Sequence, residues 1–358
     1  MKLSEFNYDL PADLIAQYPS EKRDGSRLMV VRKISKAVEH RNFRDIVERL
    51  NPGDCLVVND TKVIKARLPA KRQDTGAKAE ILLLEKLNDK LYKCLVGAST
   101  KIKVGTKFVF GEDGPDATVR AESDGIRLIE FNVNPATTDC SNGIYGGQFN
   151  QFLEKAGVIP LPPYIKRSAD KSDEERYQTV YAKAPGAIAA PTAGLHFTQE
   201  VLERIRAKGA FVESLTLHVG YGTFKPVAAD DVARHKLEAE YFEIKEDVAR
   251  RLNEVKENGG KIFAVGTTTC RALEYQATLV KGSRNRIEKG RGWTNLFIYP
   301  PYNFKFVDAL VTNFHLPKTT LVMLAAAFCG KELLFHVYEE AVREKYRFYS
   351  YGDAMLIV

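Results

Sequence analysis

The chain reads as an α/β protein: a layered α/β core into which a small all-β barrel is inserted. Over residues 1–66 and 151–358, short apolar runs alternate with helical periodicity, as expected when strands feed helices in one layered domain. Residues 67–150 change character, with short strand-like segments, frequent turn signals and almost no helical pattern, which reads as a small barrel. Because the β stretch interrupts the α/β pattern, the expected division is a core of 1–66 plus 151–358 and an inserted domain of 67–150.

Taken in chain order, residues 55–58 (Cys-Leu-Val-Val) form a buried strand. Inside the insertion, strands are expected at 79–84, 91–96, 107–110, 117–121 and 126–133, separated by Asn88-Asp89, Gly105, the run 111–114 and Asp124-Gly125. Thr198 is placed to N-cap a helix whose Val201, Leu202 and Ile205 share one face, and Gly209 suits its C′ position. A second helix spans 246–257 on the stripe Val248, Leu252 and Val255, and Asn258-Gly259-Gly260 stops it. Strands at 262–265 and 309–311 and a helix at 319–328 complete the pattern.

Composition narrows the class. A chain of 358 residues with 44% hydrophobic and 28% charged residues is an ordinary globular protein, long enough for two domains. Met1 opens onto Lys2, Ser4, Glu5 and Asn7 with no apolar h-region, so no secretory signal is expected. The longest apolar stretch, 321–329, is far too short to span a bilayer. Five scattered cysteines without a Cys-x-x-Cys pair argue for reduced thiols, a cytoplasmic address and no structural zinc, and no His-Glu-x-x-His motif occurs. A net charge of +7 permits a polyanionic partner without demanding one.

Four loops carry side chains suited to chemistry. Residues 186–198 lead a run of small residues into Pro191-Thr192-Ala193-Gly194 and then His196, just before the helix that Thr198 caps. Small residues let backbone approach a ligand, and a histidine there is a candidate acid or base. The alternative is a tight connection with a half-buried His196 held by backbone. Residues 265–271 (Val-Gly-Thr-Thr-Thr-Cys-Arg) and 312–317 (Thr-Asn-Phe-His-Leu-Pro) each follow a strand and precede a helix, where α/β enzymes place their sites. In 217–224, Gly220 and Gly222 stand beside His218. Taken singly, such histidines are more often satisfied core residues and the glycines more often turns. No P-loop and no Gly-x-Gly-x-x-Gly fingerprint is present, so neither a nucleoside triphosphate nor a dinucleotide site is expected.

Together the motifs match one family in order. Asp9-Leu10-Pro11, Leu14-Ile15-Ala16-Gln17, the run 23–28 (Arg-Asp-Gly-Ser-Arg-Leu), the run 58–67 from Val58 to Arg67, the run 161–165 and the run 175–182 are followed by 191–197, 218–224, 266–271, 312–317 and 346–356. In these motifs the chain closely resembles the S-adenosylmethionine:tRNA ribosyltransferase-isomerases of queuosine biosynthesis. Only the barrel-like insertion and the 281–292 loop match loosely. Two departures stand out. The family's usual His-x-Met-His-x-Glu is His235-Lys236-Leu237-Glu238-Ala239-Glu240, and its Thr-Asp before a Phe-Ile-Tyr strand is Thr294-Asn295. The position of Glu238 therefore cannot require an imidazole.

The resemblance implies a catalytic core that moves and isomerises the ribosyl part of S-adenosylmethionine onto a 7-aminomethyl-7-deazaguanine at the first anticodon position of tRNA. The product is epoxyqueuosine-tRNA, with adenine and methionine released. The donor is a substrate, and no metal or redox cofactor is expected. The chemistry needs a base at the ribose 5′ carbon, assistance to departing adenine and a neutral amine nucleophile. His196 is the first candidate, His218 and Asp60 follow, and His315 is third. Taken alone, Asp60 reads more readily as an N-cap or Asx-turn after the strand at 55–58. Arg176 and Arg271 are candidates for the methionine carboxylate, and Thr192, Thr267 and Thr268 for ribose hydroxyls. Tyr177 and Phe197 are candidates to stack a base, with core packing an equal account of each. Asn59, Gly194, Gly220, Gly222 and Asn313 are carried with them as substrate-binding positions.

For tRNA, Lys62, Lys65, Arg67, Lys71 and Arg72 cluster where the chain enters the insertion, and Lys101, Lys103 and Lys107 lie inside it. Lys281, Arg284, Arg286, Lys289 and Arg291 stand in a stretch whose Gly, Ser and Asn content reads as a flexible surface loop. A monomer without membrane attachment is compatible with all of this. Two rival readings are a methyltransferase using the same donor, disfavoured by the missing Gly-rich fingerprint, and a non-catalytic RNA-binding module built on the barrel. The second leaves unexplained why the His/Gly/Thr loops all lie outside 67–150.

Overall fold

In a computed structural model, the described residues are 1–98, 101–111, 114–132, 147–224, 227, 229–280 and 285–358. Among them, nine strands form one mixed sheet. From edge to edge these are Gly290–Thr294, Glu240–Ile244, Phe211–Leu217, Cys55–Asn59, Ile262–Val265, Ala309–Asn313, Ala354–Ile357, Arg27–Val31 and Val38–Asn42. The four central strands from Phe211–Leu217 to Ala309–Asn313 run parallel, and an antiparallel neighbour, Glu240–Ile244 on one side and Ala354–Ile357 on the other, continues the sheet at each side. Cys55–Asn59, Ile262–Val265, Ala309–Asn313 and Ala354–Ile357 are buried along their whole length. That is why these strands read as continuous apolar runs instead of alternating ones.

Alternate residues of these strands serve two cores. Val57, Ala264, Leu310 and Met355 pack with helices Glu246–Glu257, Thr267–Leu279, Thr320–Cys329 and Lys331–Arg343. Leu56, Val58, Phe263, Val265 and Val311 pack with helix Gln199–Ala207 and the 3-10 turn Phe43–Arg49. The result is a three-layer arrangement with helices on both faces. The caps form as the residues demand: Thr198 accepts from the Val201 N–H at 3.2 Å, Thr319 from the Val322 N–H at 3.4 Å, and Gly209 turns the chain at φ +89°.

The insertion is a closed six-stranded antiparallel barrel, in the order Ile126–Phe131, Leu91–Ala98, Lys78–Lys86, Arg67–Arg72, Lys107–Val109 and Ala117–Ser123. Leu68, Ile81, Leu83, Phe108 and Ile129 fill its interior. Phe149 of helix Gly147–Ala156 joins them, its ring stacked on Tyr92 at 4.6 Å. Ile188 of the core is buried in the same cluster, so barrel and core share a packed seam. A two-stranded ribbon, Thr61–Val63 with Ala184–Ala187, lies where the chain leaves the core for the barrel.

Two features depart from the periodicity reading. The strand at the barrel's start, Arg67–Arg72, carries Pro69 and three basic residues, so it lacks an apolar run and is recognised only by its pairing. The basic stretch before 292 is also less loop-like than its composition. Ile287 is fully buried, its backbone N–H and C=O both bonded to the Asn253 side chain at 3.0 and 2.8 Å. Gly290–Thr294 is an edge strand. Tertiary pairing overrides the local turn chemistry there.

Candidate active site

A cavity of about 770 Å³ opens between the barrel and the core. The barrel contributes the turn around Leu87 and Asn88, and the core contributes Gly220, Gly222, Thr267, Thr268 and Arg271. A chamber of about 40 Å³ adjoins it behind Thr267 and Thr268, walled by Thr192, Asn313 and His315. Three of the four loops singled out from the sequence, 186–198, 217–224 and 265–271, therefore line both spaces. The fourth, 312–317, lines only the small chamber, through Thr312, Asn313 and His315.

Asn59 sets the frame. Completely buried at a strand end, it donates to the Leu217 carbonyl and accepts from the Leu217 N–H, both at 2.9 Å, and its amide also reaches Thr268 Oγ1 at 3.5 Å. This clamps the two central strands where they release their loops. Gly266, at φ +89°, turns the chain from strand Ile262–Val265 into helix Thr267–Leu279, presenting Thr267 and Thr268 to the cavity.

His218 follows strand Phe211–Leu217 and lines the cavity. Its Nδ1 lies 2.8 Å from Thr61 Oγ1, and its ring stacks on Tyr241 at 5.6 Å with 21° between the planes. Gly186, at φ +149°, also lies against the ring: a Cβ there would stand 2.9 Å from both Cε1 and Nε2 of the imidazole. Only glycine permits so close an approach.

His196 lies behind the cavity wall. Nδ1 pairs with Ser26 Oγ at 2.7 Å, Nε2 faces the Asn313 amide at 3.1 Å, and the ring packs on Phe43 at 5.0 Å. Burial pulls its pKa down to about 4. Through Asn313, which also accepts from Thr192 Oγ1 at 3.0 Å, it reaches the small chamber at one remove. His315 lines that chamber, holds Thr312 Oγ1 at 2.7 Å and is lowered to about 3 by burial.

Arg271 lines the cavity but is already ion-paired with Glu240, whose other oxygen accepts the Gly220 N–H at 3.0 Å. Burial lowers the guanidinium to about 10, still far above neutrality, so it stays charged beside the carboxylate. Glu240, which sequence reasoning used only as a family landmark, thereby joins Arg271 to the glycine loop.

Other candidates sit away from both spaces. Asp60 accepts from Thr216 Oγ1 at 2.7 Å and Ser214 Oγ at 3.3 Å, bracing a neighbouring strand. Arg176 donates to the backbone carbonyls of Ser20 (2.6 Å) and Glu21 (3.1 Å) and ties down that loop. Tyr177 and Phe197 are fully buried in core clusters. Gly194 is held so close to the Tyr181 hydroxyl that a Cβ would stand 2.1 Å from it. Sequence reading gave no site role to Thr61, Ser26 and Gly186, which it met only within matched motifs or the small-residue loop, nor to Tyr241 and Trp293, yet all are close to the site or its histidines. Among these only Trp293, the single tryptophan, carries a compositional signal.

Of the basic positions, Lys65 pairs with Glu174 at 3.1 Å, Arg67 with Glu80, Arg72 with Asp74 at 2.6 Å and Lys289 with Glu246 at 2.7 Å. Lys62, Lys71, Arg286 and Arg291 are exposed and form no ion pair among the described residues. Lys281 and Arg284 lie outside the described residues.

Comparison with known proteins adds the family. A family described as "Queuosine biosynthesis protein" matches residues 3–357. The chain is similar to the S-adenosylmethionine:tRNA ribosyltransferase-isomerases of Acetivibrio thermocellus, at 48% identity over 359 residues, and Pelotomaculum thermopropionicum, at 49% over 359 residues. Each comparison covers 100% of both chains. A crystal structure of S-adenosylmethionine tRNA ribosyltransferase from Thermotoga maritima matches at 39% identity and a TM-score of 0.55, covering 99% of this chain and 100% of that one.

Proposed function

The chain belongs to the queuosine biosynthesis protein family, and on that premise we propose that it is an S-adenosylmethionine:tRNA ribosyltransferase-isomerase. It moves the ribosyl part of S-adenosylmethionine onto 7-aminomethyl-7-deazaguanine at the first anticodon position, leaving epoxyqueuosine in tRNA and releasing adenine and methionine. The cavity between barrel and core carries this reading, because its 770 Å³ is in the range of ligand sites and gathers the polar loops at strand ends.

The sulfonium acidifies the ribose 5′ carbon, so a base at the cavity wall can begin the reaction. His218 takes that role. The Thr61 hydroxyl also reaches the Ala184 carbonyl at 3.5 Å; donating there, it accepts from Nδ1–H and leaves Nε2 as the basic nitrogen. Thr267 and Thr268 serve the ribose and carboxylate of the donor at the start of a helix. Arg271, with Glu240, shapes the glycine loop and contributes positive charge beside it. Asn313 and Thr192 line the inner chamber, with His196 and His315 acting behind them as positioning residues. No step in this route calls on a metal.

Exposed Lys62, Lys71, Arg286 and Arg291 are the first candidates for tRNA phosphates, with Lys65, Arg67, Lys281 and Arg284 as further ones. The barrel, taken as a domain of 67–150, forms one wall of the site. We read the enzyme as cytoplasmic, and one copy of the chain supplies every group named. Among the described residues no single helix is long and apolar enough to cross a membrane.

The test is to incubate the protein with S-adenosylmethionine and precursor-bearing tRNA. Free adenine, methionine and a modified nucleoside are expected. S-adenosylhomocysteine in their place would assign a methyl transfer instead.

A further inference from the structure

The rim of the cavity carries an unusual feature. Trp293, the single tryptophan of the chain, lines the cavity yet remains 56% exposed. A side chain of this size normally contributes its area to a core. It sits on the edge strand Gly290–Thr294, paired on one side only, directly across from Tyr241. Strand alternation puts Arg291 on the same face, and Arg291 is exposed as well. The opposite face is pinned inward. Gly290 lies so close to Gln276 of helix Thr267–Leu279 that a Cβ would stand 2.8 Å from its amide nitrogen. Arg291 and Trp293 are therefore turned outward by the packing beneath them.

Trp293 also begins an aromatic wall. Its ring meets Tyr241 at 5.9 Å and 76°, which braces the indole without a parallel ring covering it, and Tyr241 in turn stacks on His218. The wall runs from the open rim to the histidine at the cavity's inner side.

We propose that Trp293 is a stacking platform for a nucleobase of the tRNA anticodon loop, with Arg291 taking an adjacent phosphate. An open aromatic face next to an exposed cation on a free sheet edge is what single-stranded RNA recognition uses. The proposal rests on the functional reading above, since it takes tRNA as the substrate. A nucleobase could come from the tRNA or from the donor's adenine. The rim position and Arg291 favour the tRNA, because the donor's reacting carbon must lie deeper, beside His218.

The test uses the full chain and an anticodon stem-loop RNA carrying the aminomethyl-deazaguanine. With one tryptophan, intrinsic fluorescence reports on this site alone, and RNA should quench it while S-adenosylmethionine alone should not. Trp293→Ala should weaken RNA binding about 5- to 150-fold, the equivalent of ~1–3 kcal/mol per stacked base. Trp293→Phe should retain most of the affinity, and both variants should bind S-adenosylmethionine and melt as wild type does. RNA affinity of Trp293→Ala within twofold of wild type overturns the platform. So does loss of S-adenosylmethionine binding in that variant, which would assign the indole to the donor's adenine. A wild-type protein that binds no such RNA overturns the functional reading itself, and the platform with it.

Discussion

Gly186→Ala tests the catalytic reading most directly, because it acts on His218 without removing any polar group. The added Cβ would lie 2.9 Å from Cε1 and Nε2 and 3.0 Å from Cδ2 of the imidazole. Ordinary carbon contacts lie at about 3.5–4.0 Å, so the ring must retreat by roughly 0.6–1 Å. That retreat strains the 2.8 Å bond from Nδ1 to Thr61 and shifts the ring relative to Tyr241. A misplacement of about 1 Å in a reacting group can cost about 10²-fold in rate. Adenine release under single-turnover conditions should therefore fall by about that factor. The backbone at φ +149° adds strain of about 1–3 kcal/mol, which a thermal melt reads as a drop of several degrees. Gly222→Ala provides the contrast, since its Cβ comes no closer than 3.1 Å to the Glu238 side chain and its backbone is not in the left-handed region, so its melt should barely move. A folded Gly186→Ala enzyme with wild-type single-turnover rate would remove His218 from the chemistry.

Other expectations follow from the same geometry. His218→Ala should lower turnover by ~10²–10⁴. His196→Ala should lower it at least about tenfold through Asn313, but without shifting the acid limb of the rate profile; a shifted limb would make His196 itself the titrating group. The folded pKa values of His196 and His315, about 4 and about 3, lie below the ordinary 6.5, so the unfolded chain binds more protons in that window. Stability is therefore full above about pH 6.5 and falls on acidification, by about 2 kcal/mol per histidine at about pH 5. Denaturation midpoints that do not change between neutral pH and about pH 5 would contradict this. Glu240→Ala should destabilise by about 3–5 kcal/mol by stranding a buried guanidinium, and Glu240→Ala with Arg271→Met should recover part of that stability. If the double variant melts lower than the single, the pair is not the cause. Replacing Lys62, Lys71, Arg286 and Arg291 with Ser should flatten the salt dependence of tRNA binding by roughly 0.7–0.9 in log–log slope for each phosphate no longer neutralised. The ion-paired Arg72 and Lys289 should matter less, and an unchanged slope for the first set would direct attention to Lys65 and Arg67.

Local physics made much of the fold legible in the amino-acid order. The runs at 55–58, 262–265 and 309–311 announce strands covered on both faces, and the helices after Thr198 and Thr319 announce themselves by cap and stripe. The turn-punctuated stretch of short strands marks the barrel. The ordered motifs pointed to the family, and the same motifs placed Thr267, Thr268, His218 and Gly220 on loops that do meet at a cavity. Only the tertiary structure decided which of these side chains face it. His196 is withdrawn behind the wall by Ser26, 170 residues earlier, and by Asn313, 117 residues later. Arg271 is matched by Glu240 and Arg176 by the carbonyls of Ser20 and Glu21, while Lys65 and Arg67 are matched by carboxylates. Trp293 stands beside the cavity because of an edge strand whose first residues composition presents as loop. Periodicity, caps and turns are set by neighbours within a few residues, so the order of residues determines them. The facing, pairing and protonation of a side chain are set by groups that folding brings from distant parts of the chain, and only the packed sheet and barrel bring them together.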